Sequence, residues 1–202
     1  SLFGMDELVW NHVTGRLPAG SATPGGYLIS PFPRTFDEVT PASLVGSSGN
    51  VTGHVIHGAV YDARPDVGAV VHTHTPAIVA VSCLRDGLQY LSQDAGAFYG
   101  KVAYHAWEGI SDDWDEQRRL AESLGPRHHT LIMRNHGAVT VGATVGEAWV
   151  RMFYLDKICR LQLDVLASGA AVAVPSRETL ERTAAQVEAT PEFRHGVSEW
   201  AA

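Results

Sequence analysis

Apolar residues in this chain recur at every second position in some stretches and with helical three-to-four spacing in others, so strands and helices both declare themselves. Residues 7–16 and 26–32 read as strands, parted by a Gly/Pro-rich turn over residues 17–25. Thr40-Pro41 starts a short helical turn with proline early, and Gly46-Ser47-Ser48-Gly49-Asn50 is a flexible connector. Over residues 53–63, Val55, Ala59 and Val60 are set against His54, His57 and Tyr61 in a helical rhythm. Residues 64–68 turn the chain into the strand Val70-Val71-His72-Thr73-His74-Thr75. Pro76 opens a helix that runs to Leu84, and Asp86-Gly87 ends it. Residues 101–106 are a further strand. Ser111 is placed to cap a helix over residues 112–124, whose Asp112, Asp113, Asp115 and Glu116 suit the positive end of the helix dipole. After Gly125-Pro126, residues 130–136 form a strand, and Gly137 permits a reversal into residues 138–141. Thr144-Val145-Gly146-Glu147 is a capping box that opens the longest helix, to about Ala167. A linker over residues 169–174 leads to an amphipathic helix over residues 178–189.

No internal repeat is present, and strands and helices mix without strict alternation. The pattern predicts one α/β domain over residues 1–202, with a mainly antiparallel sheet and helices on its faces. The long helix is apolar at Val145, Ala148, Trp149, Met152, Phe153, Leu155, Ile158, Cys159, Leu163 and Leu166. That stripe is broader than one core contact requires, which favours an oligomer over a wide core. Residues 1–5 read as the tail of a helix whose start is not in the sequence.

Composition narrows the function classes. With 45% hydrophobic residues in 202, the chain can bury a sizeable core without disulfides. Its net charge is -7, with no basic run, which argues against nucleic acid or an anionic membrane as partner. The two cysteines, Cys83 and Cys159, sit in apolar surroundings and read as buried thiols of a reducing compartment. No signal peptide or membrane-spanning run is visible, so the expectation is a cytoplasmic protein.

Candidate chemistry centres on the histidines. On a strand, His72 and His74 project from one face, roughly 6.5–7 Å apart along the backbone. That suits two imidazoles converging on one metal ion, although such a pair is also often just two half-exposed side chains. His136, in Arg134-Asn135-His136-Gly137, offers a third ligand. Three histidines with an open coordination position are a catalytic pattern, since a structural site normally supplies four ligands.

Residues 63–76, ending in Val70-Val71-His72-Thr73-His74-Thr75-Pro76, together with Arg134-Asn135-His136-Gly137 and the Glu147-Ala148-Trp149 helix, resemble the class II aldolase/adducin superfamily. The likeness runs from Trp10-Asn11-His12 to Leu166-Ala167-Ser168-Gly169, and residues 101–126 are similar to the head domain of adducins. The resemblance implies a three-layer α/β/α fold with a central, mainly antiparallel sheet. It also implies homotetramers with sites at subunit interfaces, and His72, His74 and His136 as ligands of one divalent transition metal (Fe, Zn or Mn).

The sequence also departs from the sugar-phosphate aldolases of that superfamily. Aligned through His57 and Tyr61, their catalytic Glu falls on Gly53, and their phosphate-binding serines fall on Val51 and Thr52. Their second phosphate loop reads here Ser30-Pro31-Phe32-Pro33. Glycine cannot move a proton, and Phe32-Pro33 offers a phosphate neither a hydroxyl nor a full set of backbone N–H groups. His54, beside the lost Glu, is a candidate acid/base, and its alternative is a polar residue on a half-exposed helix turn. His12 aligns near a substrate contact, with Ser30 and Phe32 as further substrate-binding candidates, and His57 is read as orienting a ligand. Trp10, Phe32 and Phe98 could wall an apolar pocket, Tyr104 and His105 could line it, and His128, His129 and His195 are expected in solvent.

Three functions fit. The first is a metal-dependent enzyme that cleaves a C–C bond, by decarboxylation or retro-aldol cleavage, in a non-phosphorylated keto or carboxylic acid, aromatic ones included. The second is a non-haem Fe(II) oxygenase of aryl keto acids, as in the aminocoumarin-pathway branch that the superfamily resembles. The third is an adducin-like binding or scaffold domain without chemistry.

Overall fold

The structure, a computed structural model, describes residues 2–23, 26–46 and 49–190. The predicted turn over residues 17–25 and connector over residues 46–50 fall partly outside the described residues, and His195 falls wholly outside them.

Six strands form one sheet among the described residues: β1 (His12–Arg16), β2 (Tyr27–Ile29), β3 (Ala69–Thr73), β4 (Val102–His105), β5 (Thr130–Met133) and β6 (Gly137–Gly142). Their order is β2-β1-β3-β6-β5-β4, and every pairing is antiparallel except β4 with β5. That parallel pair needs a crossover, and α4 (Glu116–Leu124) provides it. The other helices are α1 (Val51–Ala63), α2 (Pro76–Cys83), α3 (Gln93–Gly96), α5 (Val145–Ala167) and α6 (Arg177–Ala189).

Side-chain alternation divides the interior into two cores. Val70, Leu131, Met133, Val139 and Val141 face α1 and α4, where they meet Val55, Ile56, Val60, Leu120 and Leu124. Ala69, Val71, Ile132 and Ala138 face α2 and α5, against Ile78, Val81, Met152, Leu155 and Ile158. The architecture is therefore α/β/α in three layers around a mainly antiparallel sheet, as the sequence predicted.

Helix ends follow the capping residues. Thr75 begins α2 by accepting a hydrogen bond from the Ile78 N–H, and Pro76 occupies the first helical position. Thr144 accepts from the Glu147 N–H, while the Glu147 carboxylate reaches back to the Ala143 N–H, one residue earlier than a standard capping box. On α5, Trp149 and Phe153 are covered by Phe3, at ring separations of 6.0 and 5.3 Å. Of that stripe Val145 and Leu166 stay exposed, so it is only partly absorbed by the core.

Several local expectations shift. The first strand begins at His12, because residues 7–10 turn, with Leu8 at a φ of 46°. α4 starts at Glu116, and Ser111 does not cap it: the Ser111 hydroxyl instead donates to the Glu116 carboxylate at 3.1 Å. β5 ends at Met133, so His136 lies in the turn to β6 and not on the strand. Cys159 is buried as expected, but Cys83 at the end of α2 is exposed. His129 is half-buried against Phe98 rather than solvated.

Candidate metal centre

The sheet register assembles the histidines. β1 runs antiparallel to β3 with His12 directly opposite His72, and the two rings stack with centroids 4.9 Å apart. β6 flanks β3 on the other side, pairing His72 with Val139 and Thr73 with Ala138. The short turn from β5 to β6 then carries His136 back over the end of β3. Asn135 takes a φ of 57° in that turn, a conformation asparagine tolerates better than most residues. Gly137 is required by close approach: a Cβ there would lie 2.5 Å from the Thr73 carbonyl oxygen and 2.8 Å from His74 Cδ2.

Three imidazole nitrogens converge as a result. His74 Nε2 lies 2.7 Å from His72 Nε2 and 3.1 Å from His136 Nε2. The second ring nitrogen fixes the proton on two of them. His72 Nδ1–H donates to the Ala138 carbonyl at 3.0 Å, and His74 Nδ1–H donates to the Glu7 carboxylate at 2.9 Å. Both Nε2 atoms then carry lone pairs, so their 2.7 Å approach is not a hydrogen bond and is favourable only with a cation between them. Burial and the neighbouring imidazoles hold His72 well below the ordinary histidine range and bring His136 down to about 4. Both are neutral at pH 7, the form that binds metal. Nitrogens bonded to one tetrahedral zinc at ~2.0–2.1 Å stand about 3.3 Å apart, near the 3.1 Å between His74 and His136 and wider than the 2.7 Å between His74 and His72. The donor set thus fits a divalent transition metal, and His72, His74 and His136 are the residues that could hold it.

Neighbouring groups stiffen this cluster. Asn11 Oδ1 accepts from the His74 N–H at 3.3 Å. The next residue, Thr75, donates to Asp156 of α5 at 2.5 Å, and Asp156 is paired with Arg160. Behind His72 runs a buried chain of polar groups. His12 Nδ1 meets His57 Nε2 at 2.9 Å, His57 Nδ1 meets the Thr14 hydroxyl at 2.7 Å, and Thr14 meets the Tyr61 hydroxyl at 2.8 Å. Burial, followed by the charges of His74 and His136, lowers His12 to about 3, and burial first of all lowers His57 well below its usual value.

The other sequence candidates are dispersed. A Cβ at Gly53 would meet Ile29 Cδ1 at 2.9 Å and the His12 ring at 3.4 Å, so His12 fills the space a side chain at position 53 would enter. His54 points toward β2, where its Nδ1 meets the Tyr27 hydroxyl at 2.8 Å, and burial lowers its pKa. Ser30 is buried and accepts from the Val13 N–H at 3.3 Å. Phe32 packs on Trp10 at 5.7 Å, two residues ahead of His12. Tyr104 lies on the opposite side of the sheet under Arg134, and Phe98 belongs to the α5-side core, so neither borders this cluster. Sequence reasoning missed Glu7 and Asn11, which act on His74 from more than 60 positions away with no local signal.

Residues 1–163 match the Class II Aldolase and Adducin N-terminal domain family. Alpha-adducin of Rattus norvegicus is 40% identical over 181 residues, covering 83% of this chain and 24% of that protein. The chain therefore spans about a quarter of the length of the adducin it matches. Among solved structures, an aldolase II superfamily protein from Pseudomonas syringae superposes with a TM-score of 0.85 at 35% identity, covering 99% of this chain and 84% of that one. L-fuculose 1-phosphate aldolase from Glaciozyma antarctica superposes with a TM-score of 0.75 at 26% identity, covering 98% of this chain and 85% of that one.

Proposed function

Because this chain belongs to the class II aldolase and adducin family, we propose that it is a metal-dependent lyase that breaks a C–C bond in a small keto or carboxylic acid without a phosphate group. The observation that carries this reading is the convergence of three Nε2 atoms, two with their tautomer fixed by a hydrogen bond at Nδ1. A bound divalent ion would act as a Lewis acid toward a carbonyl or carboxylate oxygen and stabilise the negative charge left when the bond breaks.

The chain's own residues supply the remainder. His54 is neutral at pH 7 and oriented by Tyr27, so it can take the hydroxyl proton in a retro-aldol cleavage and return it to the carbanion carbon. In a decarboxylation, carbon dioxide leaves and a single protonation of that carbon completes the reaction. His12 lies beside His72 and Gly53, and it supports the ring of that ligand from behind. Trp10 and Phe32 form an apolar wall that suits an unphosphorylated, aromatic substrate, and the Ser30 hydroxyl contributes a polar contact. The site is expected to be completed by neighbouring copies in a homotetramer.

Metal analysis of protein purified without chelator tests this reading. About one equivalent of Zn, Fe or Mn at this centre, lost in a His72→Ala variant, is expected. Less than a tenth of an equivalent would remove both enzyme readings and leave a scaffold domain without chemistry, which the 40% identity to alpha-adducin favours. Oxygen consumption separates lyase from oxygenase, since a lyase turns over without it. His54→Ala should keep the metal and lose turnover, and unchanged rates would remove His54 from the mechanism.

A further inference from the structure

A second cluster of ligating groups lies at the C-terminal end of β4, on the edge strand beside the turn that carries His136. His105 ends β4, Glu108 follows in the loop, and Glu116 opens α4. His105 is 3% exposed and Glu116 is 3% exposed, so an imidazole and a carboxylate are both withdrawn from water. His105 Nδ1 pairs with the Ser123 hydroxyl at 2.9 Å. His105 Nε2 is buried with no hydrogen-bond partner among the described residues. It faces Glu116 Oε1 at 3.4 Å and Glu108 Oε1 at 3.7 Å.

The shorter of these separations decides between explanations. A charge-assisted N–H···O contact closes to ~2.7–2.9 Å, and a buried imidazolium between two carboxylates has every reason to close it. Two ligands of one tetrahedral ion with bonds of ~2.0–2.1 Å stand about 3.3 Å apart instead. The gap between His105 and Glu116 matches the second case. Arg119 neutralises Glu108, holding its two oxygens from Nε at 3.0 and 2.8 Å. Among the described residues, the Glu116 charge has only the Ser111 hydroxyl, at 3.1 Å, as a hydrogen-bond donor. Burying a carboxylate so thinly compensated is unfavourable unless a cation joins it.

We propose that His105, Glu116 and Glu108 form a second cation site, which takes a divalent ion accepting mixed nitrogen and oxygen ligands, such as Zn2+ or Mn2+. The cleft over it is lined by His105, Glu108, Ser111 and Glu116 and reaches His136, so an ion there sits beside the first centre without sharing a ligand with it. Because the two sites share no ligand, each can be emptied by mutation without removing a ligand of the other.

Chelator-stripped full-length protein titrated with Zn2+, and separately with Mn2+, by calorimetry tests the proposal. The wild type is expected to take up two equivalents of at least one ion. Glu116→Gln should lose one and keep the other, while His72→Ala should lose the complementary one. Glu108→Gln, which changes a half-exposed side chain and spares the core, should weaken the same step, and circular dichroism should show both variants folded. Uptake unchanged by Glu116→Gln and Glu108→Gln would overturn the site and leave a protonated imidazole–carboxylate pair in its place. If the three-histidine centre is the one misread, the wild type takes up one equivalent that survives His72→Ala and disappears in Glu116→Gln.

Discussion

The two faces of the central sheet are built from the same strands and behave as different materials. Along β3, Ala69 and Val71 turn toward α5, while Val70 and His72 turn toward α1. On the α5 side the buried contacts are mainly apolar, with Met152, Leu155 and Ile158 packed among Ile78, Val81 and Phe98. Even there Thr73 donates only to the Met152 sulfur, at 3.1 Å. On the α1 side the apolar core ends where the strands end, and His12, His57, His72 and Thr14 take over as a buried polar network. Period-two alternation thus lets one face carry stability while the other holds chemistry, and a change to one face should leave the other nearly untouched.

The largest effect should come from cutting into the aliphatic face. Leu155→Ala is expected to lower unfolding free energy by ~2–5 kcal/mol in urea titrations while metal bound per folded chain stays constant. A parallel fall in metal content would show that the faces are not separable. Gly137→Ala tests the seam between them, since the added Cβ would press on both the Thr73 carbonyl and the His74 ring. A loss of ~1–3 kcal/mol together with weaker metal binding is expected, and a neutral result in both measurements would mean the turn yields easily. Glu7→Gln touches the chemical face alone. Metal affinity should fall by about 10–100-fold, with the melting temperature of metal-free protein unchanged. Equal affinity would show that Glu7 does not orient His74.

Acidification should produce the smallest effect per group. Burial keeps His57 and His129 neutral in the fold, well below their ordinary pKa of 6.5. The unfolded chain therefore takes up protons first, so stability is fully present above 6.5 and is lost as pH falls below it. Each such histidine removes ~1.4 kcal/mol per pH unit in that window. Denaturation of metal-free protein at pH 7, 6 and 5 measures this slope, and a flat profile would place these rings in water.

Much of this division was legible in the sequence, because it follows from local spacing. The alternation around His72 and His74, the proline and threonine that open α2, and the Thr144 cap of α5 all report on neighbours within a few positions. What depends on register could not be read. Nothing local pairs His12 with His72, or brings Glu7 to His74, since those contacts form across strands and turns. The acids near residue 112 look like a helix-dipole cluster, yet Asp113 is drawn to Arg119 and Glu116 to Ser111 and His105, so the helix starts late. The four residues of α3 are too few to show a helical period. His54 was read from its neighbour at position 53, and one step along a helix turns a side chain by about 100°, enough to send it to Tyr27.

The separation of the ligands along the chain also sets when the centre can exist. His72 and His74 lie 62 or more positions before His136, and β6 must pair with β3 to bring the third imidazole over. A ribosome has to release more than half the domain before that pairing is possible, and non-local pairings of this kind form slowly. At the three-histidine centre, a nascent chain can offer a metal only the His72–His74 pair, two ligands of the three. Tight loading therefore marks the completion of folding, and a metal-responsive dye could serve as a clock for it.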